Sequence, residues 1–120
     1  MRRPVLVVED DGSLGAVIAE ALMEVGYQAV IFSHAERALL YLETNDVALV
    51  LTDLTLGIMN GWEFIERMRQ RPGGAPSIVI MTGSEVSAQS LLPPVRAVLP
   101  KPFELSELIG MVARWATEDV

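Results

Sequence analysis

The sequence contains no cysteine and only one histidine, His34. A disulfide framework, a thiolate nucleophile, a cysteine zinc site and a histidine-rich metal site are therefore all excluded, and Cys/His or Ser/His catalysis has little to work with. Long apolar stretches are also missing. No uninterrupted apolar run is longer than that from Val47 to Leu51, well short of the roughly 18 residues a membrane helix requires. The start, Met1-Arg2-Arg3-Pro4, reaches an acid at Glu9 before a signal-peptide hydrophobic region develops. The expectation is a cytoplasmic protein without a membrane role. Positive charge is scarce as well, with 9 Lys and Arg against 16 Asp and Glu and a net charge of −7. Phosphate neutralisation needs clustered cations, so nucleic acid is not expected as a direct partner.

What is present is a core. Of 120 residues, 51% are hydrophobic and 21% charged, enough for a single domain over residues 1–120 and too short for two ordinary ones. Pro4–Val8 and Val47–Thr52 read as fully buried strands, joined by shorter ones at Ala29–Phe32, Ser77–Met81 and Ala97–Leu99. Between them lie amphipathic helices. Ser13 is expected to cap the first, whose face is Leu14, Val17, Ile18, Ala21, Leu22 and Val25. Ser33 and Glu36 suggest a capping box for the second, with Ala35, Ala38, Leu39 and Leu42 inward. A third buries Phe64, Ile65 and Met68, with Glu63 and Arg67 paired at i,i+4. Leu105, Leu108, Ile109 and Val112 mark the last. Between Gly83 and Arg96, Pro93-Pro94 leaves room for at most two to three turns, near Val86 to Leu92. Strands alternating with helices call for an α/β, doubly wound (βα)5 sandwich, with a five-stranded parallel sheet and a shortened fourth helix.

Ligand sites in open α/β sheets lie outside the carboxyl ends of the strands. There the sequence gathers Glu9, Asp10 and Asp11 after strand one, Asp53 after strand three, Thr82 after strand four and Lys101 after strand five. Two carboxylates about 4 Å apart repel by roughly 4 kcal/mol at an effective dielectric of 20. Glu9, Asp10 and Asp53 together call for a cation, and without histidine or cysteine the choice is a hard divalent ion, Mg²⁺ before Ca²⁺. Mg²⁺ beside a lysine and a hydroxyl suits a phosphoryl group, whose oxygens carry the charge during transfer. Asp53 is the candidate nucleophile, alone at the end of a strand expected to be central.

These residues carry a family resemblance. Val7-Val8-Glu9-Asp10-Asp11, Leu51-Thr52-Asp53-Leu54-Thr55-Leu56 followed by Gly61, Met81-Thr82-Gly83 and Lys101-Pro102-Phe103 resemble, in order and over nearly the whole chain, the receiver domain of two-component response regulators. The resemblance implies a flavodoxin-like three-layer sandwich. It implies that Asp53 accepts a phosphoryl group from a sensor histidine kinase or histidine phosphotransfer protein. It further implies that Glu9, Asp10, Asp53 and the Thr55 backbone carbonyl surround Mg²⁺, that Thr82 and Lys101 contact the phosphoryl oxygens, and that the Lys101–Pro102 peptide is cis. The role is then a phosphorelay switch acting on a downstream protein, with Thr55 and Ser84 placed to influence the attacking water. No metabolic turnover is expected beyond self-catalysed phosphoryl uptake and autodephosphorylation.

The chain departs from the family pattern in three places. Gly57 stands where proline is usual, Val98 replaces the usual aromatic switch residue three positions before the lysine, and the interval from Thr82 to Lys101 is short. These departures keep open a receiver-like interaction module that works without phosphorylation. An Mg²⁺-dependent aspartyl-phosphate phosphatase is a third reading, weakened because Thr55 stands where such enzymes carry a second Asp. Trp62 is expected to shield the loop beside the site, and Trp115 to pack. Ala16, Ala19, Glu20 and Met23 lie off the expected core face of the first helix and offer a surface for a kinase or phosphotransfer helix. No effector domain is expected after Val120. Leu51–Leu54 and Val98–Leu105 resemble receivers attached to hybrid sensor kinases.

Overall fold

In the computed structural model, which describes residues 3–87 and 91–116, three fully buried strand runs are explained by a sheet covered on both faces. Strands β1 (Val5–Val8), β2 (Ala29–Phe32), β3 (Leu49–Asp53), β4 (Ile78–Thr82) and β5 (Val95–Pro100) form one sheet in the order β2-β1-β3-β4-β5. Every neighbouring pair is parallel. Helices α1 (Gly12–Glu24), α2 (Ala35–Thr44), α3 (Gly61–Arg69) and α4 (Leu105–Trp115) cover it.

Alternation along the strands divides the core in two. Leu6, Val8, Val50, Ile78 and Ile80 face α2 and α3, meeting Ala38, Leu42, Phe64, Ile65 and Met68. Val5, Val7, Leu49, Leu51, Val79 and Met81 face α1 and α4, meeting Ile18, Leu22, Leu108 and Val112. Each fully buried Leu, Ile or Phe contributes about 1.5–3 kcal/mol of transfer free energy. Two such layers explain why β1, β3 and β4 need no polar alternation.

Several local expectations change. Asp11, rather than Ser13, caps α1, because its carboxylate accepts from Leu14 N–H at 3.1 Å. The inward stripe of α1 is narrower than its apolar pattern: Val17 and Val25 are each 47% exposed, whereas Ala19, expected outside, is buried. No capping box forms at α2. His34 occupies the cap position without a side-chain bond to the helix, and the Ser33 hydroxyl instead meets His34 Nδ1 at 3.0 Å. The Glu63–Arg67 pair does form, at 3.3 Å.

The shortened helix near Val86 to Leu92 is absent at Val86, Ser87, Leu91 and Leu92, which follow an irregular path. Residues 88–90 of that expectation lie outside the described residues. Physically, Pro93-Pro94 denies the segment two backbone donors, and β5 begins at Val95, two residues earlier than expected, so little chain is left to wind. The Lys101–Pro102 peptide is cis as expected, and Pro93–Pro94 is cis as well.

Candidate functional site

Strand order and register bring the strand-end residues together. The chain runs from β1 outward to β2, then crosses back to β3 on the other side of β1, so the crevice between adjacent helices opens at the carboxyl ends of β1 and β3. Val8 pairs with Thr52, which sets Glu9 abreast of Asp53. On the other side of β3, Asp53 pairs with Met81, one residue before Thr82. Thr82 in turn pairs with Pro100, one residue before Lys101. The Lys101 N–H donates to the Thr82 carbonyl at 2.8 Å and extends that register by one step.

The side chains converge on one ammonium. Lys101 Nζ donates to Glu9 Oε1 and to Asp53 Oδ2, each at 2.6 Å. The other oxygen of each acid is held by backbone. Asp53 Oδ1 accepts from Leu54 N–H at 2.6 Å and Thr55 N–H at 3.1 Å, and Glu9 Oε2 accepts from Asp11 N–H at 3.1 Å. The Thr82 hydroxyl accepts from Ser84 N–H at 3.1 Å, which leaves its own proton for another acceptor. Glu9, Asp53 and Thr82 are buried while Asp10 is exposed.

Glu9, Asp10 and Asp53 each offer an oxygen within 4.8 Å of the others. Three carboxylates against one ammonium leave two negative charges, and every donor is a hard oxygen. That set fits a divalent cation such as Mg²⁺ and suits neither a soft nor a nitrogen-preferring metal. Burial raises the pKa of Glu9 above its ordinary value, overcoming the downward pull of the Lys101 bond; the Asp53 charge adds to the rise. For Lys101 the balance reverses. Burial works against its charge, but the bonds to Asp53 and Glu9 prevail and its pKa is raised.

Glu9, Asp10, Asp53 and Lys101 thus meet side chain to side chain. Thr82 joins through the backbone of Lys101, and Thr55 through its N–H to Asp53. Asp11 takes a different part: it caps α1 and orients Glu9. Sequence reasoning missed the exacting role of Gly61. A β-carbon there would lie 2.5 Å from the Leu54 Cα and 2.6 Å from the Asp53 carbonyl oxygen, and Gly61 N–H donates to the Leu54 carbonyl at 2.8 Å. Only glycine lets α3 start so close to the Asp53 turn. Its eight-residue offset from Asp53 was the available signal.

Beyond Thr82, the loop with Ser84 and Val86 and the residues Val98 and Pro100 border an open cavity of about 690 Å³. Valine at position 98 leaves this space beside the site unfilled. Trp62, in the first turn of α3, is 39% exposed. Trp115 packs on the core, with the Arg114 and Arg96 guanidinium groups 5.1 and 5.9 Å from its ring centroid.

Comparison with known proteins gives a consistent result. The family model described as response regulator receiver domain matches residues 5–113. The DNA-binding transcriptional regulator NtrC of Rhizobium meliloti is 30% identical over 120 residues, covering 95% of this chain and 24% of NtrC. The response regulator protein FleR of Pseudomonas aeruginosa is 30% identical over 118 residues, covering 97% of this chain and 25% of FleR. The chain therefore spans about a quarter of the length of these relatives. Among solved structures, a response regulator receiver protein from Pseudomonas putida superposes with a TM-score of 0.86 at 30% identity, covering 95% of this chain and 98% of that one. The receiver domain of a sensor histidine kinase from Pseudomonas aeruginosa, solved with a magnesium ion in its active site cleft, shares the fold at a TM-score of 0.84 and 24% identity, with 96% and 98% covered.

Proposed function

The chain belongs to the response regulator receiver domain family of two-component systems, and from that premise we propose that Asp53 is its phosphoacceptor. The observation that carries the proposal is the pair of 2.6 Å bonds from Lys101 to Glu9 and Asp53 at the mouth of the β1/β3 crevice. The phosphodonor is a phosphohistidine on a sensor histidine kinase or a histidine phosphotransfer protein. Asp53 Oδ2 attacks the phosphorus, the P–N bond breaks, and its electron pair returns to the imidazole nitrogen, which leaves protonated by water.

The other residues have separable duties. The Leu54 and Thr55 N–H groups fix Asp53 Oδ1 and so aim Oδ2 outward. Lys101 already touches the attacking oxygen and stays beside it to receive a phosphoryl oxygen, and the Thr82 hydroxyl donates to another. Glu9, Asp10, Asp53 and the Thr55 carbonyl would hold Mg²⁺, which supplies positive charge to the transferring oxygens. Thr55 and Ser84 flank the acceptor and set how easily water reaches the acyl phosphate. The new charge draws Thr82 and its loop inward, changing a surface that a downstream protein reads. In this reading the domain is a cytoplasmic signalling switch, not a metabolic enzyme.

Intact-protein mass after incubation with acetyl phosphate and Mg²⁺ tests this reading. A single phosphoryl adduct is expected, lost in Asp53→Asn and lost with a chelator. If a folded wild-type chain took no adduct from acetyl phosphate or from a histidine kinase, the reading would fail. One observation favours a second reading, a receiver-like module that works without phosphorylation: Val98 leaves the cavity beside Thr82 unfilled. Partner binding unchanged by Asp53→Ala would support that module.

A further inference from the structure

We infer that the open edge of β2, with the groove beside α1, receives an extended peptide segment that turns apolar side chains and lysine or arginine together to its α1-facing side, bound by strand addition. The inference begins with the two edges of the sheet. At β5 the edge is blunted: Pro94 precedes the strand, Pro100 ends it, Arg96 is exposed within it, and its pairing with β4 carries a register irregularity. Each is a device that discourages another strand. At β2, Ala29-Val30-Ile31-Phe32 has neither proline nor charge.

The backbone of β2 faces outward at defined positions. Val5 N–H donates to the Gln28 carbonyl at 2.8 Å and Glu9 N–H to the Phe32 carbonyl at 3.0 Å. In a parallel ladder this commits the even-numbered residues of β2 to β1 and turns the N–H and C=O of Ala29 and Ile31 away from the sheet. Those are the groups a further strand pairs with. The Ile31 side chain stands on the α1 face, where a β-carbon on Gly15 would come within 3.2 Å of it, yet Ile31 is 39% exposed.

Next to that edge lies a groove of about 520 Å³ lined by Ala16, Ala19, Glu20, Met23, Glu24 and Ile31. Met23 is 63% exposed. The groove floor is apolar and its rim is acidic. Glu20 and Glu24 stand one helical turn apart, a like-charge pair that costs the helix stability, and Glu24 lies at the C-terminal end, where the helix dipole disfavours an anion. No basic residue in the last turn offsets this. An incoming cation relieves both strains. The occupant is thus fixed on two counts: outward backbone groups select an extended segment over a helix, and the acidic rim selects basic side chains among its apolar ones. The acidic rim also repels a second copy of this chain.

The test uses a capped peptide of about six residues with threonine at every second position and valine, lysine and valine at the others, so that these three share one face, titrated into the full chain by calorimetry, with amide hydrogen exchange as the second readout. Saturable binding is expected, with exchange slowed at the Ile31 amide. Glu20→Lys with Glu24→Lys, both on the outer surface, is expected to weaken binding about tenfold or more. Methylating alternate peptide nitrogens on the sheet-facing side is expected to abolish it. Asp53→Asn is expected to bind as wild type does, so the outcome is independent of the phosphoacceptor. No saturable binding, equal binding of the N-methylated peptide, equal binding of the same peptide with glutamate in place of lysine, a helical bound peptide, or Ile31 protection that grows with protein concentration alone would each overturn the inference.

Discussion

Glu9 is 1% exposed and carries a carboxylate whose pKa burial has raised above the ordinary 4.5. A raised folded-state pKa means that ionised Glu9 costs the fold stability. The cost is absent below the ordinary value and reaches its full size above the raised one. Glu9→Gln keeps an oxygen for Lys101 and removes the buried charge. In metal-free buffer at neutral pH its Tm is expected to exceed wild type by a few degrees, with the gap closing as pH falls through the carboxylate range. A pH series of thermal melts checks this, and a wild type more stable at neutral pH would contradict it. A buried charge kept at such a cost is what a functional site often requires. At this scale the sequence was informative about residue type and strand end for Glu9, Asp10, Asp53, Thr82 and Lys101. It was silent on which acids share the ammonium, since that depends on side-chain reach across three strands.

Among the elements, Arg71 ties the ends of α2 and α3 together. Its guanidinium donates to the Leu42 carbonyl at 3.0 Å, the Gly74 carbonyl at 3.2 Å and Asp46 Oδ1 at 2.9 Å. The hydrogen bond from Arg71 lowers the Asp46 pKa below its ordinary value, so this pairing supports the fold above the carboxylate range and weakens as pH falls through it. Arg71→Ala is expected to cost about 1–3 kcal/mol. Denaturant melts at neutral pH check the magnitude, and a change within error would show that water replaces these bonds without loss. Nothing in the sequence marks Arg71, because the partners that tie it to α2, the Leu42 and Asn45 carbonyls and Asp46 Oδ1, lie 25 to 29 residues away. Helix faces were legible from apolar spacing at α2 and α3; at α4 only Leu108 and Val112 of the expected set are buried, and Leu105 is exposed because it stands in the first turn, at the rim of the sheet. Caps were less so: Asp11 and Ser13 are both good capping residues, and only the chain's entry path into α1 chooses between them.

For the whole molecule, any divalent ion the acid cluster holds is linked to folding, because the cluster exists only when β1 and β3 are side by side. At a free Mg²⁺ concentration about one hundredfold above its Kd, the folded state gains about 2.7 kcal/mol. Adding Mg²⁺ is therefore expected to raise Tm by several degrees in wild type and to leave Asp10→Asn nearly unmoved, with a chelator reversing the wild-type shift. An equal rise in both would place the ion elsewhere. The parallel α/β class, the division into buried strands and amphipathic helices, and the kind of chemistry at the strand ends were determined by the sequence itself, because burial periodicity and residue type are local properties. Strand order, the narrow face of α1, the irregular path before β5, the Gly61 contact and the outward backbone of β2 were decided only by the tertiary structure. Each depends on which segments become neighbours, and that follows from burying both faces of one sheet at once.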